Sequence, residues 1–128
     1  MQKLVLLVCF IIAVSAKNKL NAQSIDNRIW KTFVSDPLND TLVFHFRSDS
    51  SYVTDSRGNV MVRTHCIISG DTLTLEDYGS EPMSCIGRKG IYKINKTKTS
   101  FTLILIDDTC DGRSEALNNR IWIEAKKE

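Results

Sequence analysis

Apolar and polar residues alternate along short segments of the chain from about residue 28 onward. In residues 41–47, Leu42, Phe44 and Phe46 fall on one face and the residues between them on the other. A period of two residues is typical of a strand with one buried face. The alternation recurs and predicts strands at residues 28–35, 41–47, 51–55, 60–68, 72–78, 90–95, 100–106 and 120–125, with one helical turn near residues 114–117.

Short turns separate most of these segments. Gly58 precedes the strand at residue 60 and Gly70 precedes the strand at residue 72, where glycine readily adopts the positive φ of tight hairpins. About eight short strands joined by such turns predict an all-β, antiparallel up-and-down barrel, because a sandwich needs longer crossover connections. Residues 101–106 are apolar on both faces, so we expect that strand to be the most completely buried.

The first residues follow a different pattern. Lys3 precedes an apolar run over residues 4–14, and small residues follow at 14–16. This arrangement is typical of a secretory signal peptide, and the run is too short for a membrane span. We predict a signal peptide and leader over residues 1–23, cleaved after Ala16 or near Gln23, a barrel domain over residues 24–128, and a secreted or periplasmic protein.

Export changes the interpretation of the cysteines beyond that leader. An oxidising compartment favours pairing two of the three, and Cys85 and Cys110 lie in the loops that flank the strand pair at residues 90–107. A bond between them would restrict the unfolded chain by about 3 kcal/mol. Cys66 lies within an apolar strand, which predicts a buried free thiol.

Composition and charge narrow the class of protein. The chain is 42% hydrophobic and 25% charged, which is typical of a soluble globular domain. Its net charge of +2 comes from interspersed residues of both signs, so the sequence carries no electrostatic footprint for nucleic acid.

Candidate catalytic and metal-binding groups are sparse. His45 and His65 are the two histidines, and by alternation His65 points away from Cys66, so these two side chains cannot share a metal. The paired carboxylates at residues 76–77 and 107–108 are adjacent, so their side chains diverge and we interpret them as solvated surface. No complete motif emerges, and we assign no catalytic residue, cofactor or metal.

A spaced pattern near the C-terminus carries a family resemblance. The chain contains C-x-G-x-x-G-x-Y, then an apolar strand, then D-x-C-x-G-R and a closing strand, through Cys85, Gly87, Gly90, Tyr92, Asp108, Cys110, Gly112, Arg113 and Trp122. With Trp30 in the opening strand, this pattern resembles the small exported lipocalin-like (calycin) barrels. The resemblance implies that Trp30 packs beneath an arginine near the barrel's end, either Arg113 or Arg120, and that Trp122 lies in the closing strand.

The barrel and the resemblance together favour a non-enzymatic binding protein. We expect a small apolar ligand inside the barrel, contacted by Phe44, Phe46, Tyr52, Leu73, Tyr92, Phe101 and Leu103. If side chains fill the interior, the alternative is a protein-binding module, such as a protease inhibitor or an envelope-assembly factor. A third class is a barrel isomerase or cyclase that uses His45 or His65 as acid or base.

Overall fold

Eight strands and one short helix occupy residues 24–125, which are the residues that this computed structural model describes. In chain order they are β1 (Ile29–Val34), β2 (Asp40–Phe46), β3 (Ser50–Thr54), β4 (Val60–Ser69), β5 (Thr72–Tyr78), β6 (Lys89–Lys96), β7 (Ser100–Asp108), α1 (Asp111–Leu117) and β8 (Ile121–Glu124). Each predicted strand is present, and the predicted helical turn extends back to Asp111. The predicted signal peptide and leader, residues 1–23, lie outside the described residues.

The strands form one closed barrel in chain order. Each strand pairs antiparallel with the next, and β1 also pairs with β8 through Trp30–Glu124 and Lys31–Ile123. The predicted up-and-down barrel is therefore confirmed. Closure matters because an open sheet edge would expose unpaired backbone groups. Across residues 24–125, no helix has the length and apolar character needed to span a bilayer.

Alternation sets which side chains enter the barrel. On β2, Leu42, Phe44 and Phe46 are buried while the residues between them are partly exposed, as predicted. Gly58 and Gly70 have φ of 84° and 61°, which confirms that the turns before β4 and β5 use the left-handed region.

Strand β7 departs from expectation. The expectation that residues 101–106 form the most completely buried strand is wrong, because Leu105 and Ile106 are 37% and 58% exposed. Two features explain the difference. Strand β8 pairs only with residues 100–102 of β7, and the β6–β7 register shifts at Ile91/Tyr92, so that Ile106 faces no β6 residue. A bulge of this kind changes the direction of the strand and turns side chains outward.

Aromatic rings fill one end of the barrel, which we call the closed end. It lies where the β2–β3, β4–β5 and β6–β7 hairpins meet the segment before β1. The Trp30 and Phe101 ring centroids are 4.8 Å apart, Phe46 is 6.0 Å from Phe101, and Phe101 is 6.2 Å from Trp122. Ile25 is buried at this end, and the Trp30 indole Nε1–H donates to its carbonyl oxygen at 3.1 Å. The packed rings stabilise the closed end by burial and by edge-to-face contacts.

Candidate ligand-binding site

A cavity of about 380 Å³ lies at the opposite end of the barrel. We call this the cavity end, where the chain passes from β1 to β2, from β3 to β4, from β5 to β6 and from β7 to β8. Most of the cavity wall comes from β2 to β5, and it is mainly apolar, with Leu42, Phe44, Val53, Val62 and Leu75 among the lining residues. The interior of the barrel is therefore packed at one end and hollow at the other.

Two chain segments, residues 79–88 and helix α1, lie over the cavity, and we call them together the cover. Met83 and Cys85 line the cavity from the first segment, and Ala116 lines it from the helix. A disulfide joins Cys85 to Cys110, the residue immediately before α1, with the two Cα atoms 6.1 Å apart. The predicted pairing is confirmed, and the structure shows that it connects the two halves of the cover.

A buried ion network lies beside the cover. Arg113 Nη1 donates to Asp77 Oδ1 at 2.9 Å, and Arg113 Nε and Nη2 donate to the two oxygens of Asp108 at 2.7 and 2.9 Å. The side chains of Arg113, Asp77 and Asp108 are 7%, 1% and 0% exposed. A guanidinium that binds both oxygens of one carboxylate makes a strong, directional contact.

The same network holds the first segment of the cover in place. Asp77 Oδ2 accepts the backbone N–H of Cys85 at 2.8 Å. Arg113 Nη2 also donates to the backbone carbonyl of Arg88 at 2.9 Å. Because Arg113 itself lies on α1, one side chain connects the helix, the loop and the barrel wall.

The charges of this network follow from its hydrogen bonds. Burial alone would raise the pKa of Asp108, but hydrogen bonds from Arg113 and Tyr92 outweigh it and hold that pKa below its usual value. Burial raises the pKa of Tyr92, and its 2.5 Å hydrogen bond to Asp108 raises it further. A Cβ at Gly90 would lie 2.5 Å from Asp108 Oδ2, so glycine allows β6 to approach this carboxylate.

These aspartates correct one prediction from the sequence. The interpretation of residues 76–77 and 107–108 as solvated surface is wrong for Asp77 and for the side chain of Asp108. A signal was available for Asp77, because it continues the inward alternation of Leu73 and Leu75. An acid at an inward position requires a buried cation, and Arg113 supplies it.

The seven residues predicted to contact a ligand occupy different places. Six are buried or packed in the barrel interior, and of these Phe44 lines the cavity. The others belong to the packed core: Phe46, Leu73, Tyr92, Phe101 and Leu103. Tyr52 is instead half-exposed on the outer face, where its ring stacks on His45 with centroids 4.2 Å apart. The neighbouring Ser51 and Val53 point inward, which leaves Tyr52 outside.

The cation over Trp30 also differs from expectation. Lys96 Nζ lies 5.8 Å from the Trp30 ring centroid. Arg113 belongs to the ion network at the cavity end, and Arg120 donates to the backbone carbonyls of Ala116 and Phe33. The expectation that Arg113 or Arg120 covers Trp30 is therefore corrected to Lys96. Trp122 does lie in the closing strand β8, fully buried.

The histidines and the third cysteine lie apart from the cavity lining. His45 and His65 are on the outer face and stack on Tyr52 and Tyr78, each with centroids 4.2 Å apart. Cys66 is a buried free thiol, as predicted, and burial raises its pKa to about 11. Within residues 24–125, no group of three or more His, Cys, Asp or Glu side chains is placed to hold a metal ion.

Three buried side-chain atoms have no hydrogen-bond partner among residues 24–125: Glu81 Oε2 and Ser84 Oγ in the cover, and Trp122 Nε1 in β8. Trp122 lines the cavity, and its indole Nε1 is buried without a hydrogen-bond acceptor among the described residues. Leaving a buried donor unpaired costs about 1–3 kcal/mol. Sequence reasoning missed this donor because alternation places Trp122 inside the barrel without showing whether an acceptor lies opposite.

Comparison with family models, with curated proteins and with solved structures finds no match to this chain. The inference of function therefore rests on the chain's own residues and on the geometry of the cavity end.

Proposed function

We propose that this protein is an exported, lipocalin-like and non-enzymatic barrel that binds a small apolar ligand in its cavity. The observation that carries the proposal is the cavity of about 380 Å³ between the packed core and the cover. Pockets for small molecules have volumes of about 300–1,000 Å³ and mainly apolar walls with a few polar groups. Leu42, Val53 and Leu75 supply such walls.

The cover supports retention of a ligand. Its two segments are joined covalently by Cys85–Cys110 and electrostatically through Arg113. The disulfide also supports the proposed export to a secreted or periplasmic location, because structural disulfides persist in oxidising compartments and are rare in the reducing cytosol.

Binding of the neutral fluorophore N-phenyl-1-naphthylamine tests this proposal. We expect saturable fluorescence enhancement with the wild-type protein and its loss in Ala116→Trp, because the larger side chain would occupy the cavity from α1. Glu115→Trp is the matched control, since Glu115 is exposed on the same helix. Absence of saturable binding to the wild type, together with ligand-free protein in native mass spectrometry after purification from its source, would refute the proposal.

A second candidate function is binding to another protein, such as a protease or an envelope component. The observation that favours it is the group of exposed apolar side chains on the outer face of β1 and β8, formed by Phe33, Ile121 and Ile123. Such patches often mark interaction sites. Affinity capture from the exporting cell tests it: a partner retained by Ala116→Trp and lost by Phe33→Ser with Ile121→Ser would favour this function over ligand binding.

A further inference from the structure

The outer wall of the barrel is apolar where the first and last strands meet. On β1, Ile29 and Phe33 are 41% and 59% exposed, and on β8, Ile121 and Ile123 are 60% and 59% exposed. Lys31 lies between Ile29 and Phe33 on the same side of β1. We call these five side chains the seam face. Contiguous apolar surface of this kind often marks an interaction site.

The strand register makes the seam face continuous. Lys31 pairs directly with Ile123 across the seam. Continuing that antiparallel register by two residues places Phe33 opposite Ile121, and opposed side chains in a sheet have Cβ atoms about 4.5–5.5 Å apart. An open groove of about 550 Å³ lies on this face, with Phe33, Ile121 and Ile123 in its lining. The seam face therefore combines protruding apolar side chains with a depression that can receive them.

The seam face also lies over the shortest pairing in the barrel. Strand β8 pairs with β1 at two positions and with β7 at three, whereas β4 pairs with β5 at seven. Few backbone hydrogen bonds therefore close the barrel at this point. A partner that covers the seam face would lower the dielectric around these bonds and so strengthen them.

The chemistry of the seam face narrows the kind of partner. Anionic membranes and nucleic acids are recognised by clusters of cations, but Lys31 is the one charged member of the seam face. A second copy of the chain fits better, because a two-fold interface brings the same apolar patch together from both protomers. One cation per protomer does not prevent this contact, since the flexible lysine stem lets the ammonium stay in water at the edge.

The exposed area sets the strength of the contact. A phenylalanine side chain buries about 150–250 Å², so at these exposures the four apolar side chains together present roughly 400 Å². Joining two such faces, with the polar residues at their edges, buries about 1,000 Å², which is the lower limit for a specific protein interface. This area is enough for a weak, reversible dimer and too small for a permanent one.

We propose that the seam face is the interface of a weak homodimer whose two protomers are related by a two-fold axis. Phe33 of each protomer packs into the groove of its partner. The inference does not depend on ligand binding, because none of the five side chains of the seam face lines the cavity. It assigns to a second copy the surface that the second candidate function assigns to an unrelated protein.

Sedimentation equilibrium between about 5 and 500 µM tests the dimer. We expect reversible self-association with a Kd of roughly 10–100 µM, and Phe33→Ser should raise that Kd at least roughly ten-fold because it removes the aromatic anchor. Ile67→Ser is the matched control, since Ile67 is 67% exposed on β4, outside the seam face. It should leave the Kd unchanged. Both substitutions are at exposed positions and should keep the wild-type Tm.

Dilution of the ¹⁵N-labelled wild-type protein gives a second test that needs no variant. The backbone amide signals of Phe33, Ile121 and Ile123 should move as the dimer dissociates, while that of Ile67 stays in place. Three results would overturn the inference: a protein that is monomeric at about 500 µM, a dimer that Phe33→Ser leaves intact, or dilution shifts confined to another face. A monomer that binds phosphatidylcholine vesicles or an unrelated protein through Phe33 would overturn it as well. Each of these outcomes leaves the proposed ligand binding in the cavity standing.

Discussion

Replacing Arg113 by methionine should destabilise the barrel more than any exposed charge substitution. The change keeps most of the side-chain length but removes the partner of two buried carboxylates, Asp77 and Asp108. Removing one member of a buried ion network costs about 3–5 kcal/mol, because the remaining charges are left uncompensated. Urea unfolding at pH 7 should show that loss in the free energy of unfolding with an unchanged m value.

The pH dependence of this loss separates electrostatics from packing. The pKa of Asp108 is lowered in the folded wild type, so Asp108 contributes stability that is fully present above its unfolded pKa of about 3.9. That contribution is lost as the pH falls through the folded value. In Arg113→Met, burial without the guanidinium raises the pKa of Asp108, and protonation relieves the penalty. The difference between variant and wild type should therefore shrink as the pH falls from 7 toward about 3.5.

Arg28→Met is the matched control for this experiment. Arg28 Nη1 lies 3.5 Å from Glu124 Oε2, and the two side chains are 30% and 37% exposed. Ion pairs this accessible to water contribute about 0–1 kcal/mol. If Arg113→Met lost no more stability than Arg28→Met, or if its deficit stayed constant on acidification, the assignment of Arg113 as the compensating charge would be refuted.

Two further predictions concern the cysteines. Replacing both Cys85 and Cys110 by serine opens a loop with a sequence separation of 25 and should lower the free energy of unfolding by about 3.5 kcal/mol. Calorimetry should then show a Tm lower by roughly 15 °C. An unchanged Tm would contradict the stabilising role given to this bond. Cys66 has a pKa raised to about 11 by burial, so its thiol stays protonated at pH 8.5 and should resist iodoacetamide in the native protein. Mass spectrometry should show alkylation of Cys66 only after unfolding, and rapid modification of the native protein would count against the burial described for it.

Most of the fold could be predicted from the sequence because each strand has one apolar face. Alternation on β2 identified Leu42, Phe44 and Phe46 as interior residues, and glycine at residue 58 identified a hairpin. Prediction of burial from the local pattern was wrong where the register between two strands shifts. Residues 101–106 are apolar throughout, but a register shift and the short β8 expose Leu105 and Ile106.

Less of the candidate site could be predicted, because it depends on contacts between distant residues. The pairing of Cys85 with Cys110 followed from their positions in flanking loops. That the same bond joins the two segments of a cover depends on how helix α1 lies over the barrel, which alternation does not report. Asp77 and Arg113 are 36 positions apart in the sequence, so local alternation does not predict their ion pair either.

The division of the barrel into a packed end and a hollow end separates the residues that stabilise the fold from those that shape the cavity. The rings around Trp30 and Phe101 constrain the sequence of one half, because any loss of volume there leaves a void. Met83 and Ala116 line the cavity from the cover and do not belong to the packed core, so substitutions there leave its packing unchanged. Under the proposed function, a lineage could exchange one ligand for another by substitutions in the cover alone while the same barrel continued to fold.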